Sequence, residues 1–242
     1  MNKFGENDWE RVAKITDQIQ GYLLHPEGKL LYQLAKACSK KAAIVEIGSW
    51  KGRSTVWLYF GSVRGNRAPI YAIDPHTGSP ELKKRHGGSS SLGEFKDNMK
   101  RIKAFDLVIP LVKKSKEAAG EFGQKVGLVF IDGDHSCKAV KEDFELWFPK
   151  LINKGLILFH DTIQFEEVNR VVREMVFKSK KIKNIKIVDS IVWGQKCQKL
   201  SVVDCLRNRY VLFLHDFSVF FSKFNAPYFL VNFGKNILKK IH

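Results

Sequence analysis

The most constraining feature of this 242-residue chain is a series of five short apolar runs, each followed by a helical pattern. Continuous apolar runs are typical of strands in a parallel sheet that is covered on both faces. Right-handed crossovers then predict a doubly wound α/β sheet, whose ligands bind beyond the carboxyl ends of the strands. The five runs are AAIVEI (42–47), PIYAID (69–74), FDLVIPLV (105–112), VGLVFI (126–131) and GLILF (155–159).

A closing antiparallel pair, IKIV (185–188) and IVWGQK (191–196), brings the expected sheet to seven strands. We divide the chain around this sheet into three parts. Residues 1–40 carry two amphipathic helical patterns, which we expect to form a pocket or lid over the site. Residues 41–199 hold the α/β domain, and residues 200–242 form an extension rich in aromatic and basic residues.

The C-terminal extension holds seven of the 18 Phe of the chain. Pro227 interrupts any single long helix within it. Two interpretations are open. The aromatic residues cap the core or form a contact in a homodimer, or they anchor the protein on a membrane surface beside Lys239 and Lys240.

The chain is strongly basic, with 41 Lys and Arg against 25 Asp and Glu and a net charge of +16. Lysine supplies most of this excess, whereas proteins that read nucleic acid usually rely on the bidentate contacts of Arg. The charge therefore favours a solvated lysine-rich surface, or attraction to an anionic membrane, glycan or nucleotide-linked substrate, over a nucleic-acid partner.

The cysteine pattern indicates a reducing compartment. The four cysteines form no CxxC pair and no metal-ligand spacing, so we expect free thiols. The N-terminus lacks an apolar signal core, and no apolar run approaches the roughly 20 residues that span a bilayer. These features predict a cytoplasmic protein, which the extension could hold at the inner face of the membrane.

The turn VEIGSWKGRST (45–55) carries the first chemical signal. Gly48 and Gly52 bracket a turn between a strand that ends near Glu46 and a helix that begins near Ser54. Glycines allow a tight turn and the close approach of a ligand, but the pattern is neither GxGxxG nor a P-loop. Asp74 follows the second strand, where a carboxylate commonly accepts hydrogen bonds from ribose hydroxyls. Acids at both strand ends suit a cationic nucleoside better than a dinucleotide.

The strings VEIGSWKGRST, AIDPHTG and FIDGDHSCKAVKEDFELWFPKLINKGLILFHDT resemble, in this order, the class I S-adenosylmethionine-dependent methyltransferases. The nearest branch is methyltransferase family 24, beside the macrocin-type O-methyltransferases. The resemblance covers about residues 40–178 and implies S-adenosylmethionine as cofactor. It implies cofactor contacts from eight residues: Glu46, Gly48, Ser49, Gly52, Thr55, Asp74, Ser115 and Asp132.

The resemblance also makes strands four and five neighbours, so the acids and histidines of FIDGDH and LFHDT converge. It implies that Asp132 and Asp161 bind a divalent metal such as Mg²⁺, with Asp134 as base. To these we add His160 as a third metal ligand and His135 as a second candidate base, from their positions beside the acids. His160 stands where the family pattern has an acid, and imidazole suits Mn²⁺, Fe²⁺ or Zn²⁺ better than Mg²⁺. In a metal-free alternative, His135 or His160 takes the acceptor proton directly.

The resemblance therefore implies an O-methyltransferase for a hydroxyl of a small molecule, sugar or glycan precursor. The N-terminal helices and the loop GGSSSLG (87–93) would supply the acceptor pocket and a lid. Two alternatives are an RNA or DNA methyltransferase and a non-catalytic cofactor-binding scaffold in a glycan pathway. The chain does not have the Asn-Pro-Pro-aromatic sequence that nucleic-acid methyltransferases acting on amino groups carry after strand four, which is evidence against the first alternative.

Overall fold

The computed structural model of the protein describes residues 8–78 and 90–222. The strands are β1 (Ala43–Ile47), β2 (Ile70–Ile73), β3 (Val108–Leu111), β4 (Val126–Ile131), β5 (Leu151–Phe159), β6 (Ile182–Val188) and β7 (Ile191–Lys196). The helices are α1 (Asp8–Thr16), α2 (His25–Ala37), α3 (Arg53–Arg64), α4 (Leu92–Arg101), α5 (Ser115–Glu121), α6 (Cys137–Trp147), α7 (Glu166–Val172) and α8 (Val202–Ser222).

The strands form one seven-stranded sheet in the order β3-β2-β1-β4-β5-β7-β6. The first five strands are parallel, and β7 runs antiparallel to both β5 and β6. This confirms the predicted doubly wound sheet with its closing antiparallel pair. The order reverses between β1 and β4, and such a switch point opens a crevice beyond the strand ends.

The core lies on both faces of the sheet, which is why the strand sequences are apolar without alternation. Every residue of β1 and of β4 is buried. One face packs on α2 and α3, with Trp57 fully buried at their contact. There Gly28 is required, because a Cβ at this position would lie 2.2 Å from the Trp57 ring. Trp147 of α6 anchors the opposite face.

Several element boundaries differ from the sequence prediction. β5 begins at Leu151 rather than Gly155, and β3 begins at Val108, after a short 3₁₀ turn at Ala104–Asp106. The helical pattern after β5 continues past α7 as a π-helical turn at Arg173–Phe177.

The structure settles only part of the predictions for the loop and the tail. Residues 79–89 and 223–242 lie outside the described residues, and they include the first three residues of the predicted lid loop together with Pro227, Lys239 and Lys240. Among the described helices, none is both long enough and apolar enough to cross a membrane. The predicted three-part division of the chain stays a prediction.

Candidate functional site

Two cavities open beside the carboxyl ends of the central strands. The β2-side cavity, about 540 Å³, is lined from β2, α5 and α6. The β5-side cavity, about 470 Å³, is lined from the α1–α2 linker, α2 and the segment after β5. Four residues line both cavities: Gly48, Trp50, Asp132 and Gly133. The cavities therefore share a boundary made by the turns after β1 and β4.

The turn after β1 depends on its glycines. Gly48 and Gly52 both have φ of +89°, in the left-handed region that L side chains rarely adopt. A Cβ at Gly48 would lie 2.1 Å from the carbonyl oxygen of Asp132. A Cβ at Gly52 would lie 2.7 Å from Met99 Cε. Gly48 thus lets the turns after β1 and β4 touch, and Gly52 lets the turn after β1 pack on α4. Gly52 lines neither cavity.

Glu46 lies beneath this turn and lines neither cavity. Its carboxylate is fully buried and accepts hydrogen bonds from Ser54 Oγ and Thr55 Oγ1, both at 2.5 Å. Burial raises the pKa of Glu46 to about 7, and the charges of Asp132 and Asp74 act in the same direction. Glu46 therefore fastens the first turn of α3 to β1. The predicted cofactor contacts of Glu46 and Thr55 stay predictions, since both polar groups are already engaged.

Asp74 shapes the β2-side cavity from the end of β2. Its carboxylate accepts backbone hydrogen bonds from Trp50, at 2.7 Å, and from His76, at 2.6 Å. These two donors fix the direction of the side chain, and each oxygen keeps a lone pair for a further donor. Asp74 can therefore accept hydrogen bonds from hydroxyl groups within this cavity, and its contact with a ribose stays a prediction.

The other predicted cofactor residues lie apart from one another. Ser49 lines the β5-side cavity, and its buried Oγ has no hydrogen-bond partner within residues 8–78 and 90–222. Ser115 lines the β2-side cavity, but its hydroxyl accepts from Trp147 Nε1 at 2.8 Å and also bonds to Asp143. Burial raises the pKa of Asp143 to about 7. The Ser115 hydroxyl is therefore less able to hydrogen-bond to a ligand than predicted, and the Ser49 hydroxyl is more able to do so.

His160 is buried in a network of carboxylates at the base of the β5-side cavity. Its Nδ1 lies 2.9 Å from Asp132 Oδ1 and 3.3 Å from Asp161 Oδ2, and its Nε2 lies 3.2 Å from Glu27 Oε2. Burial alone would lower the pKa of His160, but the three carboxylates raise it well above its usual range. His160 is therefore held as a cation with both ring nitrogens engaged.

Glu27 of α2 was not found by sequence reasoning. It is 1% exposed and accepts hydrogen bonds from Leu24 N at 2.8 Å and from Ser190 N and Oγ at 2.9 and 2.6 Å. Burial opposes ionisation of Glu27, but His160 and Ser190 keep its pKa below the usual value. The available signal was position, because Glu27 shares a helix face with the buried Leu31 and Ala35.

The geometry changes the predicted metal set. Ligand atoms of Asp132, His135 and Asp161 all lie within 4.8 Å of one another. His160 stands behind this group, since both of its nitrogens face carboxylates. His135 Nε2 lies 3.4 Å from Asp161 Oδ2, and the His135 ring packs on Phe165 with centroids 4.0 Å apart. Two carboxylates and one imidazole suit Mn²⁺, Fe²⁺ or Zn²⁺ better than Mg²⁺.

The two predicted bases, Asp134 and His135, line different cavities. Asp134 lines the β2-side cavity, where its Oδ1 accepts a hydrogen bond from Ser136 N at 2.8 Å. His135 lines the β5-side cavity. A proton acceptor for a molecule in the β5-side cavity is therefore available at His135 and not at Asp134.

Comparisons with known proteins agree with this fold. A family model described as a methyltransferase domain matches residues 45–162. A catechol O-methyltransferase of Niastella koreensis is 28% identical over 138 residues, which are 57% of this chain and 56% of that protein. The chain thus spans little more than half the length of this curated relative.

Solved structures share the architecture. The O-methyltransferase NovP superposes with a TM-score of 0.63 at 16% identity, covering 72% of this chain and 81% of NovP. An O-methyltransferase from Bacillus cereus, solved in complex with SAH, gives a TM-score of 0.56 at 15% identity and covers 80% of this chain and 93% of its own.

Proposed function

We propose that this chain is a class I methyltransferase, like the family whose model matches residues 45–162, and that it transfers a methyl group from S-adenosylmethionine to a hydroxyl oxygen of a small molecule, sugar or glycan precursor. The observation that carries this proposal is the pair of cavities with a shared boundary at Gly48 and Asp132. Such an arrangement lets two ligands meet at one point while each keeps its own pocket.

The residues of the β2-side cavity fit S-adenosylmethionine. Gly48 lets the turn after β1 contact the backbone of Asp132 at the shared boundary, and Asp74 presents oriented lone pairs for ribose hydroxyls. On the β5 side of the boundary, Ser49 has a buried hydroxyl with no hydrogen-bond partner among the residues that the structure describes. When bound, the cofactor supplies an electrophilic methyl group on a sulfonium cation. The carboxylate of Asp132 at the boundary favours a cation there.

The β5-side cavity fits the acceptor. Trp50 stacks parallel to Tyr22 at its rim, with centroids 6.1 Å apart, and Phe165 lines its wall. Flat aromatic surfaces suit the ring of a sugar or aromatic acceptor. We propose that an acceptor hydroxyl lies near Asp132, His135 and Asp161, on the boundary with the other cavity. Holding both reactants there replaces a bimolecular encounter with an oriented one.

These three residues also form the proposed metal site. Asp132, His135 and Asp161 would hold a divalent cation, which favours loss of the proton from a nearby hydroxyl. His160 would not bind the metal itself. Its Nδ1 would hold Asp132 and Asp161 in place by hydrogen bonding, as groups that hydrogen-bond to metal ligands commonly do. In the metal-free alternative, His135 accepts the proton and Asp161, 3.4 Å away, orients its ring.

An acceptor screen with methyl-labelled S-adenosylmethionine tests this function. The protein is incubated with sugars, nucleotide-linked sugars, catechols and RNA, and labelled products are identified by mass spectrometry. Label on a hydroxyl oxygen of a small acceptor supports the proposal. Label on RNA would contradict it, and binding of the cofactor without turnover on any acceptor would favour the scaffold alternative.

A further inference from the structure

Helix α8 shows a buried inner face that fixes it to the domain. Asn208, Val211, Leu214 and His215 recur at helical spacing and are each at most 7% exposed. Asn208 Nδ2 donates to the carbonyl oxygen of Ile182 at 2.9 Å. The anchored side of α8 is therefore already occupied by β6 and its surroundings.

The outer face of the same helix is also apolar. Val203, Leu206, Tyr210 and Phe213 are exposed by 73, 61, 46 and 64%, and their spacing of three, four and three residues places them on one side. We name these four residues the α8 stripe. Arg209 is exposed beside it. Contiguous exposed apolar surface on a folded protein marks an interaction site more often than chance exposure.

The charges near the α8 stripe are predominantly positive. Hydrogen bonds from Ser201 and the positive charges of Lys183 and Arg207 lower the pKa of Asp204 at the start of the helix. Burial and the positive charge of Arg207 lower the pKa of Lys186. Residues 217–242 contain four Lys and no Asp or Glu. A second copy of this chain would place the same positive region opposite itself, which costs free energy. An anionic surface would be complementary.

We propose that the α8 stripe and Arg209 dock on the surface of an anionic lipid bilayer. The helix lies along the bilayer surface. Leu206 and Phe213 lie at the boundary between headgroups and acyl chains, and Tyr210 lies among the headgroups. The following residues, 223–242, add aromatic and basic residues at the same end of the chain. Attachment of this kind is peripheral, and it weakens as salt screens the lipid charge.

Vesicle sedimentation of the full chain tests the proposal, using phosphatidylcholine alone or mixed with phosphatidylglycerol. The double variant Leu206→Glu/Phe213→Glu removes the stripe. A matched control, Phe105→Glu/Ile109→Glu, makes the same change of charge at positions 42 and 37% exposed. The control residues lie before and within β3, at the opposite edge of the sheet from α8 and β6. Both variants should bind S-adenosylhomocysteine and unfold thermally as the unmodified protein does.

We expect the unmodified protein and the control to sediment with anionic vesicles, less so at high salt. Loss of two apolar contacts and addition of two negative charges should lower the partition coefficient of the stripe variant by about tenfold or more. Equal sedimentation of the stripe variant would overturn the proposal. A dimer that becomes a monomer in the stripe variant, without vesicle binding by either form, would assign the stripe to a contact between two copies.

Discussion

The two cavities share a boundary but are built in different ways. The β2-side cavity is made by turns that directly follow strands, and its geometry rests on Gly48 and on backbone donors to Asp74. The β5-side cavity is made by side chains brought together over long sequence separations, such as Glu27 and Ser190, which are 163 residues apart. The difference shows that one cavity is shaped mainly by local turns, whereas the other depends on contacts between distant parts of the chain.

The largest expected effect is that of Gly48→Val. The side chain would need the left-handed backbone at φ +89° and would collide with the Asp132 carbonyl group. The backbone strain alone costs about 1–3 kcal/mol, so we expect loss of measurable S-adenosylhomocysteine binding by calorimetry and a lower melting temperature. The control Gly93→Ala lies in open space within α4 and should keep both. Full binding by Gly48→Val would place the cofactor elsewhere.

Glu27→Ala tests the β5-side network. The change removes the carboxylate facing His160 Nε2 and the acceptor for Leu24 N, Ser190 N and Ser190 Oγ, all buried or partly buried, so the free energy of unfolding should fall by about 3–5 kcal/mol. Denaturant titration measures this fall. Glu94→Ala removes an exposed ion pair with Lys51 and should cost less than about 1 kcal/mol.

Glu27→Gln keeps the side-chain shape and separates the roles of the two cavities. We expect unchanged S-adenosylhomocysteine binding with reduced turnover, because His160 would lose a charged partner while the β2-side cavity stays intact. If Glu27→Gln instead weakened S-adenosylhomocysteine binding and left turnover at saturating cofactor unchanged, the assignment of the cavities would be reversed.

Chelation tests the proposed metal site. Treatment with EDTA, or the change Asp161→Ala, should lower turnover by at least about tenfold, and Mn²⁺ should restore the treated protein better than Mg²⁺. Asp106→Ala is the control, since Asp106 is paired with Arg67 at an exposed position. Turnover that survives both EDTA and Asp161→Ala would favour direct proton transfer to His135.

A smaller effect is expected from Glu46→Gln. The folded-state pKa of Glu46 is about 7, above its ordinary value of 4.5, so the folded protein holds this proton more tightly than the unfolded chain does. The contribution of Glu46 to stability therefore falls as pH rises through that interval. Relative to the unmodified protein, the free energy of unfolding of the variant should rise by about 3 kcal/mol as pH increases through this interval.

Chemical denaturation at several pH values measures this difference. A difference that is independent of pH would contradict the burial of Glu46. Retained cofactor binding by Glu46→Gln would agree with its place beneath the turn, whereas lost binding would restore the direct contact predicted from the sequence.

The sheet could be predicted because its signals are local. Each of the first five strands contains a continuous apolar run, and Gly48 and Asp74 follow their strands directly. The roles of Glu46 and Ser115 were harder to predict, because motif position does not reveal that other side chains already occupy their polar atoms. Whether a strand-end acid faces a ligand or a neighbour depends on packing.

The β5-side network could not be predicted from neighbouring residues. His160 was expected as a metal ligand because it occupies the position of an acid in the family pattern. Of the three carboxylates around His160, Glu27 lies 133 residues earlier in the chain, and only the tertiary fold brings the two side chains within 3.2 Å. The role of His160 as a metal ligand stays a prediction. Likewise, the aromatic content of the extension was visible in the sequence. Which face of α8 is buried and which is exposed could be assigned only from its packing on β6 in the structure.

A crystal structure of the complex with S-adenosylhomocysteine tests the central claim most directly. We predict that the ribose lies on Asp74 in the β2-side cavity, that the sulfur lies at the boundary between Gly48 and Asp132, and that the β5-side cavity stays open for an acceptor. A nucleoside bound in the β5-side cavity against His135 and Phe165, or a sulfur directed away from the boundary, would contradict the account.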